Sequence, residues 1–205
     1  DGVRPVALSS GGDTLLAATS RGVERIDTLS TESQMVHPAT DVQSVATDGE
    51  TRFAFARNDG GITMGTLTSP TQTTLTGHER TITTLAFTER GRLVSGSLDG
   101  TVRLWGADGT PLGEFRHDDW VLDTAVSPSG DVLAVAVRGQ RLMLWDIRSQ
   151  QQIGLPLRFS DEVVDLGYLS SGEVLVTTQN GGLLRIAGSL SQWKDIAASM
   201  QSEPD

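Results

Sequence analysis

Cysteine is absent from the 205 residues, which removes disulfides, thiolate catalysis and cysteine-ligated zinc together. Lysine is almost absent too. Lys194 stands alone, so arginine carries nearly all the positive charge. That charge is in deficit: Lys+Arg is 16 against 26 Asp+Glu, a formal net charge of −10. A surface of this sign repels phosphate, so neither nucleic acid nor an anionic membrane is expected as a partner. No apolar run approaches the ~18 residues that would cross a bilayer, and nothing reads as a signal or targeting motif. The usual catalytic signatures are missing as well. There is no Gly-x-Ser-x-Gly, no phosphate loop and no His-Glu-x-x-His, so no enzyme activity and no cofactor are expected.

What the sequence does have is a repeat, and glycine marks it. Apolar strand, glycine turn and apolar strand recur five times, with turns at Gly12-Asp13, Gly49-Glu50, Gly91-Arg92, Gly130-Asp131 and Gly172-Glu173. The steps between them are 37, 42, 39 and 42 residues. Strands such as Thr84–Phe87 and Thr124–Val126 precede the turn, and Leu93-Val94 and Val132–Val135 follow it. A second turn carries Gly22, Gly60, Gly100, Gly139 and Gly181, and a third strand comes next, clearest in Thr101–Trp105, Leu142–Trp145 and Leu183–Ile186. Weaker fourth strands are expected at Met35-Val36, Gln72–Leu75, Pro111–Phe115 and Ile153–Leu155. Short strands between Gly/Asp/Ser turns are an all-β signal. A period near 40 with four strands per unit predicts the blades of a β-propeller, because one small sheet covers both its faces only by stacking on neighbours.

The third unit gives this architecture a family. Gly77-His78, followed by Leu93-Val-Ser-Gly-Ser-Leu-Asp-Gly-Thr-Val-Arg-Leu-Trp105, resembles a WD-repeat blade. The fourth unit keeps His117, Ser127-Pro128-Ser-Gly130 and Leu144-Trp145-Asp146. The resemblance spans residues 3–187 and is strongest over 77–146. Elsewhere the rhythm persists without the tryptophan, with Ile26, Gly65 and Ala187 near its place. Units are expected at about 1–37, 38–76, 77–116, 117–158 and 159–188. In that family an indole N–H, a strand hydroxyl, a loop histidine and a turn aspartate form a hydrogen-bonded chain. The resemblance implies Trp105, Ser97, His78 and Asp99 for the third unit, with Trp145 and His117 a partial second set. Arg138-Gly139-Gln140 stands where the third unit has its Asp-Gly turn, so one polar link should be missing there.

Five units are fewer than the seven common in the family, and the fifth shows no evident fourth strand. The expectation is an incomplete ring: the C-terminal part of a larger propeller, completed by upstream blades of the same protein, another chain or a second copy. After it, Ser189 with Gln192 reads as a capping box. Trp193, Ile196, Ala197 and Met200 form a helical stripe, so a short amphipathic helix and tail are expected over 189–205. About ten residues of this tail resemble the ends of WD-repeat arrays in bacterial multidomain signalling NTPases, which implies a cytoplasmic sensor.

The functional reading is a non-catalytic platform for a protein partner, within a larger complex. The propeller architecture puts the loops entering each first strand and the turns between second and third strands on one face. That face collects Arg57, Arg80, Asp118, Asp119, Trp120, Arg138, Asp161, Glu162 and Gln179. Trp120 lies three residues after His117, where the third unit has Thr81, and tryptophan beside arginine is typical of an interface hot spot. The alternative for Trp120 is a local cap on the core. Two other functions compete with the platform: a purely structural half-propeller that completes a partner chain's ring, and a propeller hydrolase. A hydrolase could use the acidic pairs Asp118-Asp119 and Asp161-Glu162, against a solvated acidic rim. A metal could sit among His37, His78 and His117, spaced 41 and 39 apart, but zinc needs its ligands within ~2.0–2.2 Å of one point. One structural histidine per unit is the preferred account, and no metal is expected.

Overall fold

The computed structural model describes residues 6–8, 14–39, 41–49, 51–69 and 71–186. The tail beyond 186, with its expected helix, and the first turn at Gly12-Asp13 lie outside the described residues. Every described element is a strand, and the strands form five antiparallel sheets in chain order. The first holds β1 (Val6–Leu8), β2 (Thr14–Ala18), β3 (Val23–Asp27) and β4 (Ser33–His37). The second holds β5 (Val42–Thr47), β6 (Arg52–Arg57), β7 (Ile62–Thr66) and β8 (Gln72–Leu75). In the third are β9 (Ile82–Phe87), β10 (Leu93–Ser97), β11 (Thr101–Trp105) and β12 (Pro111–Arg116). The fourth has β13 (Val121–Val126), β14 (Val132–Val137) and β15 (Arg141–Asp146), then two short pieces, β16 (Gln151–Gln152) and β17 (Leu157–Arg158). The fifth has β18 (Val163–Tyr168), β19 (Val174–Thr178) and β20 (Leu183–Ile186), and no fourth strand among the described residues.

Sequence alternation explains the stacking. In β14 every residue from Val132 to Val137 is buried. Ala134 and Ala136 join the core toward the fifth sheet, while Leu133, Val135 and Val137 join the core toward the third. A strand buried on both faces must be apolar throughout. Each of the four junctions has its own core: Leu16, Val45 and Phe55 in the first; Ile62, Ile82 and Leu93 in the second; Val102, Phe115 and Leu133 in the third; Leu142, Val163 and Val176 in the last. The first strands β1, β5, β9, β13 and β18 pack side by side through these junctions. No comparable packing joins the fifth sheet to the first among the described residues. The array is an incomplete β-propeller.

Two expectations are corrected. Ile153–Leu155 is not a strand but the break between β16 and β17: Gly154 is left-handed (φ 67°), Leu155 points into solvent and Pro156 has no N–H to give. The tryptophan place in the fifth sheet is Ile186, not Ala187. Ile186 pairs with Val174 as Trp105 pairs with Leu93 and Trp145 with Leu133. In the second sheet that place is Gly65, opposite Phe53. A Cβ there would meet the Phe53 ring at 2.9 Å, so the phenylalanine fills the tryptophan's space from the facing strand.

Candidate interaction face

A hydrogen-bonded chain fixes the rim of the third sheet. Trp105 Nε1–H donates to Ser95 Oγ at 2.9 Å, Ser95 Oγ lies 2.8 Å from His78 Nε2, and His78 Nδ1 lies 2.9 Å from Asp99 Oδ2. Asp99 only accepts, so the proton belongs on Nδ1 and Ser95 donates its hydroxyl hydrogen to Nε2. The strand hydroxyl is therefore Ser95, not Ser97. Ser97 lies beyond the register shift in β10 and donates to Arg80 O at 3.2 Å instead. Thr101, which sequence reasoning also missed, donates its hydroxyl and amide hydrogens to Asp99 Oδ1 at 2.6 and 2.8 Å. Glu79 N–H adds a fourth donor to Asp99 at 3.0 Å. Burial pushes the Asp99 carboxyl up, but these hydrogen bonds outweigh it and hold it below the ordinary carboxylate range. Burial also lowers His78 despite Asp99, which keeps the imidazole neutral.

The fourth sheet is wired differently. Val135 stands where β10 has Ser95, and Trp145 Nε1–H reaches His117 Nε2 directly at 3.1 Å. With Gly139 at the place of Asp99, His117 Nδ1 is buried with no hydrogen-bond partner. Burial depresses this imidazole to about 4. His37 makes neither contact: its ring packs on Phe55 at 4.9 Å, and its Nδ1 is likewise buried without a partner. The three periodic histidines thus do three separate things: His78 and His117 act within their own units, and His37 packs across the first junction on Phe55.

These wired turns carry the rim. Gly100, left-handed at φ 82°, lies under the next entry loop, where a Cβ would come within 3.0 Å of His117 O and 3.2 Å of Asp119 O. Gly60 does the same beneath His78 and Arg80. The close approach makes a groove of about 370 Å³ between Glu79-Arg80, Leu98–Gly100 and His117–Trp120. Trp120 is 38% exposed at its edge, with the Arg138 guanidinium 4.4 Å from its ring centre. Arg141, absent from the sequence-based candidates, organises this corner. One guanidinium nitrogen donates to both Asp118 oxygens at 2.8 Å, and others reach Arg138 O at 3.1 and 3.3 Å. No motif announces Arg141, because its partners come from two different loops.

Of the expected face, the groove unites Arg80, Asp118, Asp119 and Trp120, with Arg138 on the tryptophan. Glu162 joins from the fifth sheet by accepting Gly139 N–H at 3.0 Å. Asp161 is spent within its own sheet, accepting from Glu162 N in the entry loop and from Asn180 N in the second turn at 2.9 and 2.7 Å. Gln179 N–H of that turn donates to Glu162 O. Arg57 sits apart, on the second sheet's turn, 3.4 Å from Asp59. In the first acidic pair the Asp118 carboxylate is committed to Arg141. Arg141 holds the Asp118 carboxyl below its ordinary range, whereas a general acid needs it raised.

The spacing of these turns has a counterpart among known proteins. The family model for the WD domain, G-beta repeat, matches residues 69–106 and 109–146, which include the third sheet and the tryptophan-bearing strands of the fourth. These two units of the chain are WD repeats. It is 31% identical to Coronin-7 of Rattus norvegicus over 181 residues, 86% of this chain and 18% of that protein. It is 34% identical to Ribosome assembly protein 4 of Saccharomyces cerevisiae over 84 residues, 39% of this chain and 16% of that protein. The Coronin-like protein of the same yeast matches at 32% over 80 residues, 38% of this chain and 12% of its own length. The chain thus spans less than a fifth of each of these relatives. The matched WD repeats are the two whose polar wiring is most complete, and the sheets without a tryptophan keep only the strand rhythm.

Proposed function

We propose that the chain is a non-catalytic platform that binds a protein partner through the groove between the third and fourth sheets. The observation that carries this reading is Trp120, exposed at the groove edge with Arg138 stacked on it while the scaffold beneath is held by buried hydrogen bonds. Aromatic and arginine side chains presented on a rigid frame supply most of the energy of protein interfaces. The two WD repeats, and a relative named for ribosome assembly, support work inside a complex. The finer setting, a sensor in a bacterial cytoplasmic signalling protein, rests on the tail resemblance alone; the rat and yeast relatives supply nothing for it. The test is affinity capture with wild type, Trp120→Ala and Arg138→Ala, each also melted. Loss of a specific partner with an unchanged melting temperature supports the groove. Loss of folding, or undiminished capture, overturns it.

A second reading has its own observation. On the outer face of the fifth sheet, Leu183 pairs with Thr177 as Leu142 pairs with Ala136 in the fourth. Leu142 is 0% exposed beneath the fifth sheet, whereas Leu183 is 68% exposed. The face that seats a neighbour in one sheet is therefore open in the next. This supports a segment that completes a ring with blades from upstream or from a partner chain. The 205 residues by themselves distinguish them: a stable monomer with a closed ring would remove this reading and leave the first intact.

A further inference from the structure

The sheets share a row of residues that the partner groove does not use. It runs from a polar residue on the first strand, through a small one on the second, to an aliphatic one on the third. In the third sheet it is Thr84, Gly96 and Val102; in the fourth it is Asp123, Ala136 and Leu142. The row faces the sheet that follows. Ile62, Val102 and Leu142 end it in the second, third and fourth sheets, and each is buried in the junction with the next. The polar member reaches across that junction. Thr84 Oγ1 lies 3.4 Å from Thr124 Oγ1, and Asp123 Oδ2 accepts Leu166 N–H at 2.7 Å.

The fifth sheet repeats the row with no sheet over it among the described residues. Asp165, Thr177 and Leu183 take the places of Asp123, Ala136 and Leu142, and both Asp165 and Leu183 are exposed. Glu173 and Arg185 stand where the fourth sheet has Val132 and Leu144, and they pair with each other. That leaves Asp165 as the carboxylate a neighbour on this face would have to meet.

The first sheet carries the other half of such a junction. On the face toward the preceding sheet, the residue opposite the tryptophan place is Phe53, Leu93, Leu133 or Val174 in the second to fifth sheets. None of these is more than 1% exposed. In the first sheet the residue is Leu15, opposite Ile26, and both are only half-buried. Val6 pairs with Ala17 in β1 as Leu166 pairs with Val176 in β18, so its N–H stands at the register that Asp165 requires. No comparable packing brings these two halves together within one copy, among the described residues.

We propose that a second copy of this chain supplies the missing neighbour, its first sheet seated on the fifth sheet of the first copy and its Val6 N–H donated to Asp165. The occupant follows from the chain itself. Each copy owns both halves of the junction, in the register of the one it already makes between its fourth and fifth sheets. The proposal rests on the ring-completing reading and names its partner. The two surfaces differ, so copies add head to tail. Covering Leu183 and Leu15 drives the contact. Asp165 fixes its register, because a slip of one residue would bury the carboxylate away from an N–H.

The experiment is sedimentation velocity of the full chain over about a hundredfold range of concentration, in enough salt to screen the net charge of −10. Hydrogen exchange is read at the Val6 amide in the same samples. Wild type should associate as concentration rises, and Val6 should gain protection with it. Leu183→Asp should weaken association by about a hundredfold and Asp165→Ala by about tenfold. Asp165→Asn keeps an acceptor oxygen and should stay near wild type. Both residues are exposed, so the melting temperature of the dilute monomer should not move. Should Leu183→Asp fail to fold, the contrast between Asp165→Ala and Asp165→Asn decides. Association that survives Leu183→Asp, or Val6 protection that ignores concentration, overturns the proposal. An open monomer at every concentration also overturns it and leaves the ring-completing reading standing, whereas a closed five-sheet monomer removes both.

Discussion

The third and fourth sheets are the same strand pattern with different interiors, and the contrast shows what the polar chain is for. In the third, the path from Trp105 through Ser95 and His78 ends on Asp99, which also fixes Thr101 and Glu79. The entry loop and the second turn become one unit. In the fourth, Val135 and Gly139 remove the middle and the end of that path, and tryptophan and histidine meet directly. What remains is aromatic packing, with Trp145 edge-on to His117 at 5.5 Å and to Phe115 at 5.4 Å, and an imidazole N–H with no acceptor. The fourth sheet exchanges a hydrogen bond for apolar burial along β14 and leaves one buried polar atom uncompensated. Its turn is held from outside instead, by Arg141 on Arg138 O and by Glu162 on Gly139 N–H.

The largest expected effect breaks the third sheet at its middle. Ser95→Ala orphans both Trp105 Nε1–H and His78 Nε2, and should cost about 2–4 kcal/mol in urea unfolding; Ser97→Ala, two residues on, should cost less than about 1. A reversed order would return Ser97 to the chain. Next comes pH at His117. Its imidazole is depressed to about 4 from 6.5, so the neutral form belongs to the fold: the stability is complete above 6.5 and is lost as pH falls through about 4. The loss should approach about 3 kcal/mol at the limit, read as the difference in acid melting between wild type and His117→Gln. Burial raises the Asp123 carboxyl to about 6, which acts in the opposite direction over the same range, so only the difference between variants isolates either group. Asp99→Ala should cost about 1–3 kcal/mol, since Thr101 and Glu79 can turn to water.

Making the two sheets alike is the sharper test and the smaller effect. Replacing Gly139-Gln140 by Asp-Gly offers His117 Nδ1–H an acceptor worth about 1 kcal/mol, but Gly139 is itself left-handed at φ 90°, so the gain is realised only if the turn adopts the form of the third sheet. Gln140→Gly alone should gain about 0.5 kcal/mol, because Gln140 occupies the left-handed region at φ 64° where the third sheet has Gly100. A thermal melt reads both.

Much of this was legible because the period is a physical necessity. Small sheets that stack must repeat their apolar alternation and their glycine turns, so five units and their order could be read from the chain, while the Trp105–His78–Asp99 set was what the resemblance to a WD-repeat blade implied. The substitution of Gly139 for aspartate even foretold the missing link beneath His117. Reading failed where two residues of one kind compete for one role. Ser95 and Ser97 share a strand face, and only the register shift in β10 sends the second to Arg80 O. It failed again at Arg141, whose partners Asp118 and Arg138 are neighbours only after folding.

The sequence by itself determined the number of sheets, their strand order and the residues that each must bury, because those follow from local turn chemistry and from period-two alternation. Tertiary structure alone decided which loops meet in a groove, why Trp120 stays at its edge under Arg138, and that Asp123 accepts Leu166 N–H across a junction. Those are distances between separate units, and no rule of spacing along one chain fixes how one sheet is turned against the next.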